Sequence, residues 1–244
     1  MIAPGNAEKN TIREAIILAG GLGTRLRAAV PDLPKCMAPV NGHPFIYYVI
    51  ESLRQQGIRR FIFALGFRHE AFTTYLAAIL PAGSYHISTE EEPLGTGGAI
   101  RLAMALTSEP QVIAANGDTL FRIDLEKLSS FHQQKKAACT VCLKQMHRFN
   151  RYGSVVIDSN NRISAFEEKK WQETGWINGG LYALDVAKFL EEPLPQNSTL
   201  WPARKASVMS VTTCSIFSCS TTSFSNCSFT EIEPRIMSCI FLFM

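Results

Sequence analysis

Between Glu14 and Asp118, short apolar runs alternate with amphipathic stretches, and this alternation restricts the fold more than any other feature of the chain. The apolar runs are Ala15–Leu18, Phe61–Leu65, Tyr85–Ser88 and Val112–Ala115. Runs so short and so uniformly apolar read as strands covered on both faces. Between them lie helical stretches at Pro44–Gln56, Arg68–Leu80 and Gly97–Leu106. The first carries Phe45, Val49, Ile50 and Leu53 on one face and stops at Gly57; the second stops at Pro81. The pattern predicts an α/β fold, a mostly parallel sheet flanked by helices. Right-handed crossovers then place a ligand crevice at the carboxyl ends of the strands.

After Asp118 the pattern changes. A helix at Leu125–Lys135 precedes shorter runs at Ala137–Leu143, Gly153–Ile157, Arg162–Phe166 and Gly180–Leu184, which read as partly antiparallel strands walling one side of a pocket. Residues 201–244 contain no glycine, no aspartate, nine serines and four cysteines, and neither period persists in them. Such a composition buries no coherent face. The expected organisation is a flexible segment over 1–13, one domain over 14–200 and an aberrant Ser/Cys-rich tail over 201–244 that reads as out-of-frame translation. The domain divides at Asp118 into a first half, 14–118, and a second half, 119–200. On this reading the fold is truncated at its C-terminus.

A chain of 244 residues suffices for one sizeable α/β core. Net charge +3, without a basic run, argues against nucleic acid. The polar N-terminus does not resemble a signal peptide, and no apolar stretch reaches membrane-spanning length. Cys139 and Cys142 fall on opposite faces of an alternating run, which argues against a metal or redox site there. Reduced thiols in a cytoplasmic protein fit this cysteine usage.

The first strand runs directly into Gly20, Gly21 and Gly23, followed by Thr24 and Arg25, with Lys35 ten residues beyond the arginine. Glycines after a buried strand let backbone N–H groups cradle phosphate oxygens, and two cations answer the charge of a polyphosphate. A Walker loop is excluded because no Gly-Lys-Ser/Thr follows. A dinucleotide fingerprint is excluded because Leu26 stands where its last glycine belongs.

Asn116-Gly117-Asp118 ends the fourth strand, which leaves Asp118 either as a helix cap or as a hard oxygen ligand for Mg²⁺. Glu90, Glu91 and Glu92 precede Pro93-Leu94-Gly95-Thr96-Gly97-Gly98. This segment is either a solvated acidic turn before a flexible helix start, or a place where carboxylate and backbone groups meet the edge of a flat ring. Glu168-Lys169 alone would be a solvated charged face. No histidine lies in these motifs, and no Ser/His/Asp or Cys/His nucleophile arrangement is suggested.

The ordered set GGLGTRL, PK, PLGTGG, NGD, Tyr152-Gly153, Phe166-Glu167-Glu168-Lys169 and Asn178-Gly179-Gly180 resembles the sugar-1-phosphate nucleotidyltransferases over about residues 13–200. The heptose 1-phosphate guanylyltransferases are most similar, through MAPVNGHPF, EEPLGTGGAI, NGDT, RYG and WINGGLYAL. The resemblance implies a Rossmann-like sheet of the nucleotide-diphospho-sugar transferase type. It also implies transfer of a nucleoside monophosphate from GTP, or another NTP, onto a sugar 1-phosphate with loss of pyrophosphate.

The resemblance assigns residues as well. Arg25, Lys35 and Asp118 are catalytic, with Asp118 holding Mg²⁺. Leu18, Ala19, Gly20, Gly21, Gly23, Thr24, Glu90, Glu92, Gly95 and Thr96 hold the nucleotide. Asn116, Gly117, Gly153, Glu168, Lys169, Asn178 and Gly179 hold the sugar phosphate, and the resemblance makes 14–118 the nucleotide-binding half and 119–200 the sugar-phosphate half. Mannose 1-phosphate guanylyltransferases and uridylyl- or thymidylyltransferases share the pattern, and a homo-oligomer is compatible with it. Two departures stand out. Cys36 occupies the position of a usual proline, and the second metal-binding aspartate expected after residue 200 has no counterpart, which leaves an inactive nucleotide or sugar-phosphate binder as the reading of a different class.

Overall fold

The structure is a computed structural model describing residues 12–20, 34–66 and 70–191, together with the backbone of 209–213. Its strands are β1 (Glu14–Leu18), β2 (Pro39–Val40), β3 (His43–Pro44), β4 (Arg60–Leu65), β5 (Tyr85–Thr89) and β6 (Gln111–Asn116). They continue with β7 (Cys139–Phe149), β8 (Ser154–Ile157), β9 (Ile163–Glu167), β10 (Gln172–Asp185) and β11 (Met209–Thr213). The helices are α1 (Phe45–Arg54), α2 (Glu70–Ile79), α3 (Gly95–Met104), α4 (Leu125–Lys135) and α5 (Val186–Glu191).

The main sheet runs β11-β7-β10-β6-β1-β4-β5, with β8 and β9 attached to β10 as a side ribbon. Strands β6, β1, β4 and β5 are mutually parallel, as the alternation predicts. Strand β10 is antiparallel to both β6 and β7, so the second half is mixed.

Side chains along each central strand alternate between two cores. Ala15, Ile17, Phe61, Phe63, Ile113 and Ala115 face α1, α2 and α4. Ile16, Ile62, Ala64, Val112 and Ala114 face α3 and α5. Helix α1 forms where the sequence predicts it because Phe45, Ile46, Val49, Ile50 and Leu53 recur at helical spacing and bury one stripe. Each such side chain contributes about 1.5–3 kcal/mol on full burial. Helix α4 begins at Asp124, whose carboxylate accepts from the Lys127 N–H at 3.1 Å. The cap of α4 is therefore Asp124 and not Asp118.

The structure also departs from the sequence reading. Helix α3 starts at Gly95 rather than Gly97, braced by Glu90, which accepts from the Leu94 N–H at 2.9 Å. Strands β7 and β10 extend far beyond Ala137–Leu143 and Gly180–Leu184 because they pair with each other from Gln172–Phe149 to Leu184–Cys139. Their outer halves carry exposed polar residues with little apolar periodicity, and cross-strand hydrogen bonding holds them. Met209–Thr213, expected to lie in a segment without strand character, pairs parallel to β7. The short helix α5 and the β2–β3 hairpin were not expected. Cys139 and Cys142 do face opposite cores, both buried.

Candidate active site

The carboxyl ends of β1, β4 and β6 are drawn together by backbone contacts. The Ala19 N–H donates to the Ala64 carbonyl at 2.9 Å, and the Gly117 N–H donates to the Leu18 carbonyl at 2.8 Å. At Gly20 the main chains touch: a Cβ there would stand 2.9 Å from the Gly66 nitrogen, and one on Gly66 would stand 2.8 Å from the Gly20 oxygen. Both positions demand glycine. Gly66 was missed in the sequence reading, although a glycine closing an apolar strand was its visible signal. Gly21, Gly23, Thr24 and Arg25 lie outside the described residues.

Lys35 reaches the same edge from a 3₁₀ turn, Lys35–Met37, which follows Pro34. Cys36 and Met37 are buried in the core beneath and hold the lysine at the rim. The Lys35 Nζ lies 2.7 Å from Asp118 Oδ2, and the two side chains remain 29% and 36% exposed. The partners are 83 residues apart in sequence, so only the sheet brings them together. Asp118 Oδ1 accepts from the Thr119 hydroxyl at 3.3 Å. Burial, reinforced by the nearby Asp118 charge, pushes the Cys36 thiol up to about 12. The cysteine in place of proline is thus a neutral space-filling group beside the pair.

The Asn178-Gly179-Gly180 motif sits in a bulge of β10. From Asn178 to Tyr182, four steps of β10 run against two of β7, from Leu143 to Val141. Gly180 has φ +72°, and a Cβ there would lie 2.6 Å from Asn116 Nδ2. A Cβ on Gly179 would enter the ring of Phe121. The bulge therefore packs directly against Asn116 and the segment following Asp118, joining the two halves of the site.

The remaining candidates are more peripheral. Gly153 packs on the Glu167 carbonyl, its Cβ position only 2.7 Å from that oxygen. Glu168 and Lys169 are exposed on the turn after β9. Their neighbour Glu167 is engaged in its place, accepting from Ser154 Oγ at 2.7 Å and Gln172 Nε2 at 2.9 Å. Glu92 is exposed, and Gly95 and Thr96 open helix α3. Glu90 uses Oε2 to brace that helix start.

Among the described residues no three His, Cys, Asp or Glu side chains cluster as a metal cage. Asp118, partly exposed beside Lys35 and Thr119, is the carboxylate that could hold Mg²⁺, which takes one or two carboxylates and fills its sphere with water and substrate phosphates. No helix among these residues is long and apolar enough to cross a membrane.

A lysine–aspartate pair thus stands at the glycine-lined carboxyl ends of parallel strands, closed on one side by an antiparallel ribbon, where an open α/β sheet has its ligand crevice. The chain is similar to HddC from Yersinia pseudotuberculosis, with a TM-score of 0.71 and 32% identity over 83% of this chain and 90% of that one. The same protein complexed with GMP-PN gives a TM-score of 0.70. The fold is that of the nucleotide-diphospho-sugar transferases. In sequence, the chain is 46% identical over 183 residues to the D-glycero-alpha-D-manno-heptose 1-phosphate guanylyltransferase of Aneurinibacillus thermoaerophilus, covering 75% of this chain and 79% of that protein. It is 42% identical over 171 residues to the Campylobacter jejuni enzyme of that name, covering 70% and 75%. A mannose-1-phosphate guanylyltransferase of Mycobacterium tuberculosis is 32% identical over 174 residues, covering 70% of this chain and 48% of the relative. Residues 14–199 match the nucleotidyl transferase family, and the chain belongs to it.

Proposed function

We propose that the chain transfers GMP from GTP onto D-glycero-α-D-manno-heptose 1-phosphate, releasing pyrophosphate and forming a GDP-heptose for surface glycan synthesis in the cytoplasm. The observation that carries the reading is the Lys35–Asp118 pair at 2.7 Å on the glycine-lined edge of β1 and β6. The 46% identity to a heptose 1-phosphate guanylyltransferase supports the choice of base and sugar.

The sugar 1-phosphate is already an anionic nucleophile near neutral pH. One of its phosphate oxygens bonds to the α-phosphorus of GTP as the bond to the β-phosphate oxygen breaks, and pyrophosphate leaves with that electron pair. No side chain need remove a proton, which agrees with the lack of a histidine in the site motifs. The protein's work is alignment and charge neutralisation. Lys35 and Arg25 neutralise the triphosphate, and the N–H groups of Gly20, Gly21, Gly23 and Thr24 cradle it. Leu18 and Ala19 form the floor beneath. Glu90, Glu92, Gly95 and Thr96 meet the guanine. Asn116, Gly117, Gly153, Glu168, Lys169, Asn178 and Gly179 orient the sugar phosphate. Asp118 would hold Mg²⁺, which supplies Lewis-acid stabilisation of the phosphate oxygens when bound. Residues 14–118 thus serve mainly the nucleotide and 119–200 mainly the sugar, with none of the assigned residues in 201–244.

Pyrophosphate release, measured for each NTP against heptose 1-phosphate and mannose 1-phosphate with Mg²⁺, tests the reading. GTP with heptose 1-phosphate is expected to turn over fastest, and Asp118→Ala to lower the rate on the order of 10²-fold or more. GTP binding without release above the Asp118→Ala background in any combination refutes the enzyme reading and leaves a binding protein.

A further inference from the structure

Asn178 belongs to the sugar-phosphate motif, yet most of its side chain is committed inside the protein. Its Oδ1 accepts from the Gly180 N–H at 2.9 Å, and its Nδ2 donates to the Tyr182 hydroxyl oxygen at 2.8 Å. The backbone N–H can only donate, so the atom facing it must be the oxygen, and the orientation of the carboxamide is fixed. The Tyr182 oxygen therefore receives one Nδ2 hydrogen. Among the described residues no other group takes the second Nδ2 hydrogen.

Tyr182 is well placed as an anchor. Its backbone is in register with both Ala114 of β6 and Val141 of β7, immediately after the bulge ends. Its ring packs into the core shared by Ile16, Ala64 and Val141. Burial pushes its hydroxyl up to about 12, so it stays protonated and neutral at working pH. The bulge itself lacks continuous ladder pairing with β7, and a carboxamide there would otherwise sample several rotamers. Asn116 and Phe121 limit the backbone on the other side, against Gly180 and Gly179.

We propose that Tyr182 is a positioning residue that clamps Asn178 through its hydroxyl, so that the motif offers the sugar 1-phosphate a single oriented N–H donor. The proposal rests on the function proposed above for its substrate, and it names a residue outside the Asn178-Gly179-Gly180 triplet, one to which the resemblance assigns no role. A donor held in this way suits a phosphate or hydroxyl oxygen of the sugar and leaves the nucleotide half untouched.

The test is Tyr182→Phe, which removes the hydroxyl and keeps the ring. The KM for the sugar 1-phosphate is expected to rise roughly five- to tenfold, the worth of one oriented hydrogen bond, with kcat and the KM for GTP within twofold of wild type. In an Asn178→Ala background the same change is expected to add nothing. An unchanged sugar-phosphate KM, an equal rise in both KM values, or full additivity with Asn178→Ala overturns the clamp. A second readout does not depend on turnover. In the ¹⁵N–¹H spectrum of the unliganded full chain, one Asn178 side-chain amide proton should exchange slowly, and Tyr182→Phe should abolish that protection. Wild-type protection without turnover on any sugar 1-phosphate would sink the proposed reaction and spare the clamp. Rapid exchange of both protons in wild type would sink the clamp.

Discussion

The edge of the sheet opposite the site is held by one buried carboxylate, and its removal should cost stability without touching catalysis. Glu14 is 2% exposed at the start of β1. Its Oε1 accepts from Arg60 Nη1 and from Ser108 Oγ, the latter at 2.6 Å, and its Oε2 accepts from the Ser108 and Glu109 N–H groups at 2.9 and 3.1 Å. Arg60 also donates to the Leu106 carbonyl at 3.0 Å, so β1, β4 and the α3–β6 connection are locked together. In Glu14→Gln, either orientation of the amide turns an NH₂ group toward two donors. Breaking a buried pair costs about 3–5 kcal/mol, but Arg60 is 25% exposed and recovers some hydration. A loss of about 2–3 kcal/mol at pH 7 is therefore expected, read as a lower urea midpoint at constant m.

The pH dependence has a definite sign. Burial alone would raise the Glu14 carboxyl, but the Ser108 hydroxyl, Arg60 and the two N–H groups outweigh it and hold it below the usual carboxylate range. As pH falls below about 4.3 the unfolded chain takes up this proton first, so the stabilisation is complete at neutral pH and is lost as pH falls through the folded value. Glu14→Gln has no such proton, and the gap between the proteins should shrink below pH 4. Roughly 15–20 Å of strand separates Glu14 from Gly20, so kcat should not change. A loss under 1 kcal/mol at pH 7, or a gap just as wide at pH 3, would refute the reasoning.

Three further outcomes are expected. His132 is buried with Nδ1 on Thr140 Oγ1 at 2.8 Å, and burial, aided by Lys188 and opposed by Asp185, pushes it down to about 4. The unfolded chain therefore protonates first, and about 3 kcal/mol of stability should be lost as pH falls from about 6.5 to 4. Denaturation midpoints across that window should show a flatter slope in His132→Gln, and an equal slope in both proteins would refute the assignment. Gly179→Ala should lower both thermal stability and turnover because its methyl enters the Phe121 ring, and adding Phe121→Leu should restore much of each; failure of that rescue would point to backbone strain in place of the clash. Lys35→Ala should lower kcat/KM by about 10²-fold, equivalent to roughly 2.7 kcal/mol of transition-state stabilisation, with the melting temperature nearly unchanged; steady-state kinetics showing less than a fivefold loss would remove Lys35 from the chemistry.

The sequence by itself determined the strands β1, β4, β5 and β6, the helices between them and the glycine edge of β1. Each of these is specified by local periodicity or by a residue type that the backbone requires. It also placed Cys139 and Cys142 on opposite faces, because strand alternation is a local rule. Tertiary structure alone decided which residues meet. Lys35 and Asp118 become partners only because β1 and β6 pair and a buried 3₁₀ turn raises the lysine to the same rim. The long β7–β10 ribbon escaped the sequence because its stability comes from cross-strand hydrogen bonds, which leave no apolar period. Asn178 was visible as a site residue, whereas Tyr182, in the same stretch, carried no sign of a role. A tyrosine in an apolar strand signals core packing, and its hydroxyl meets the carboxamide only because a bulge inserts two residues between them and the adjoining ladder.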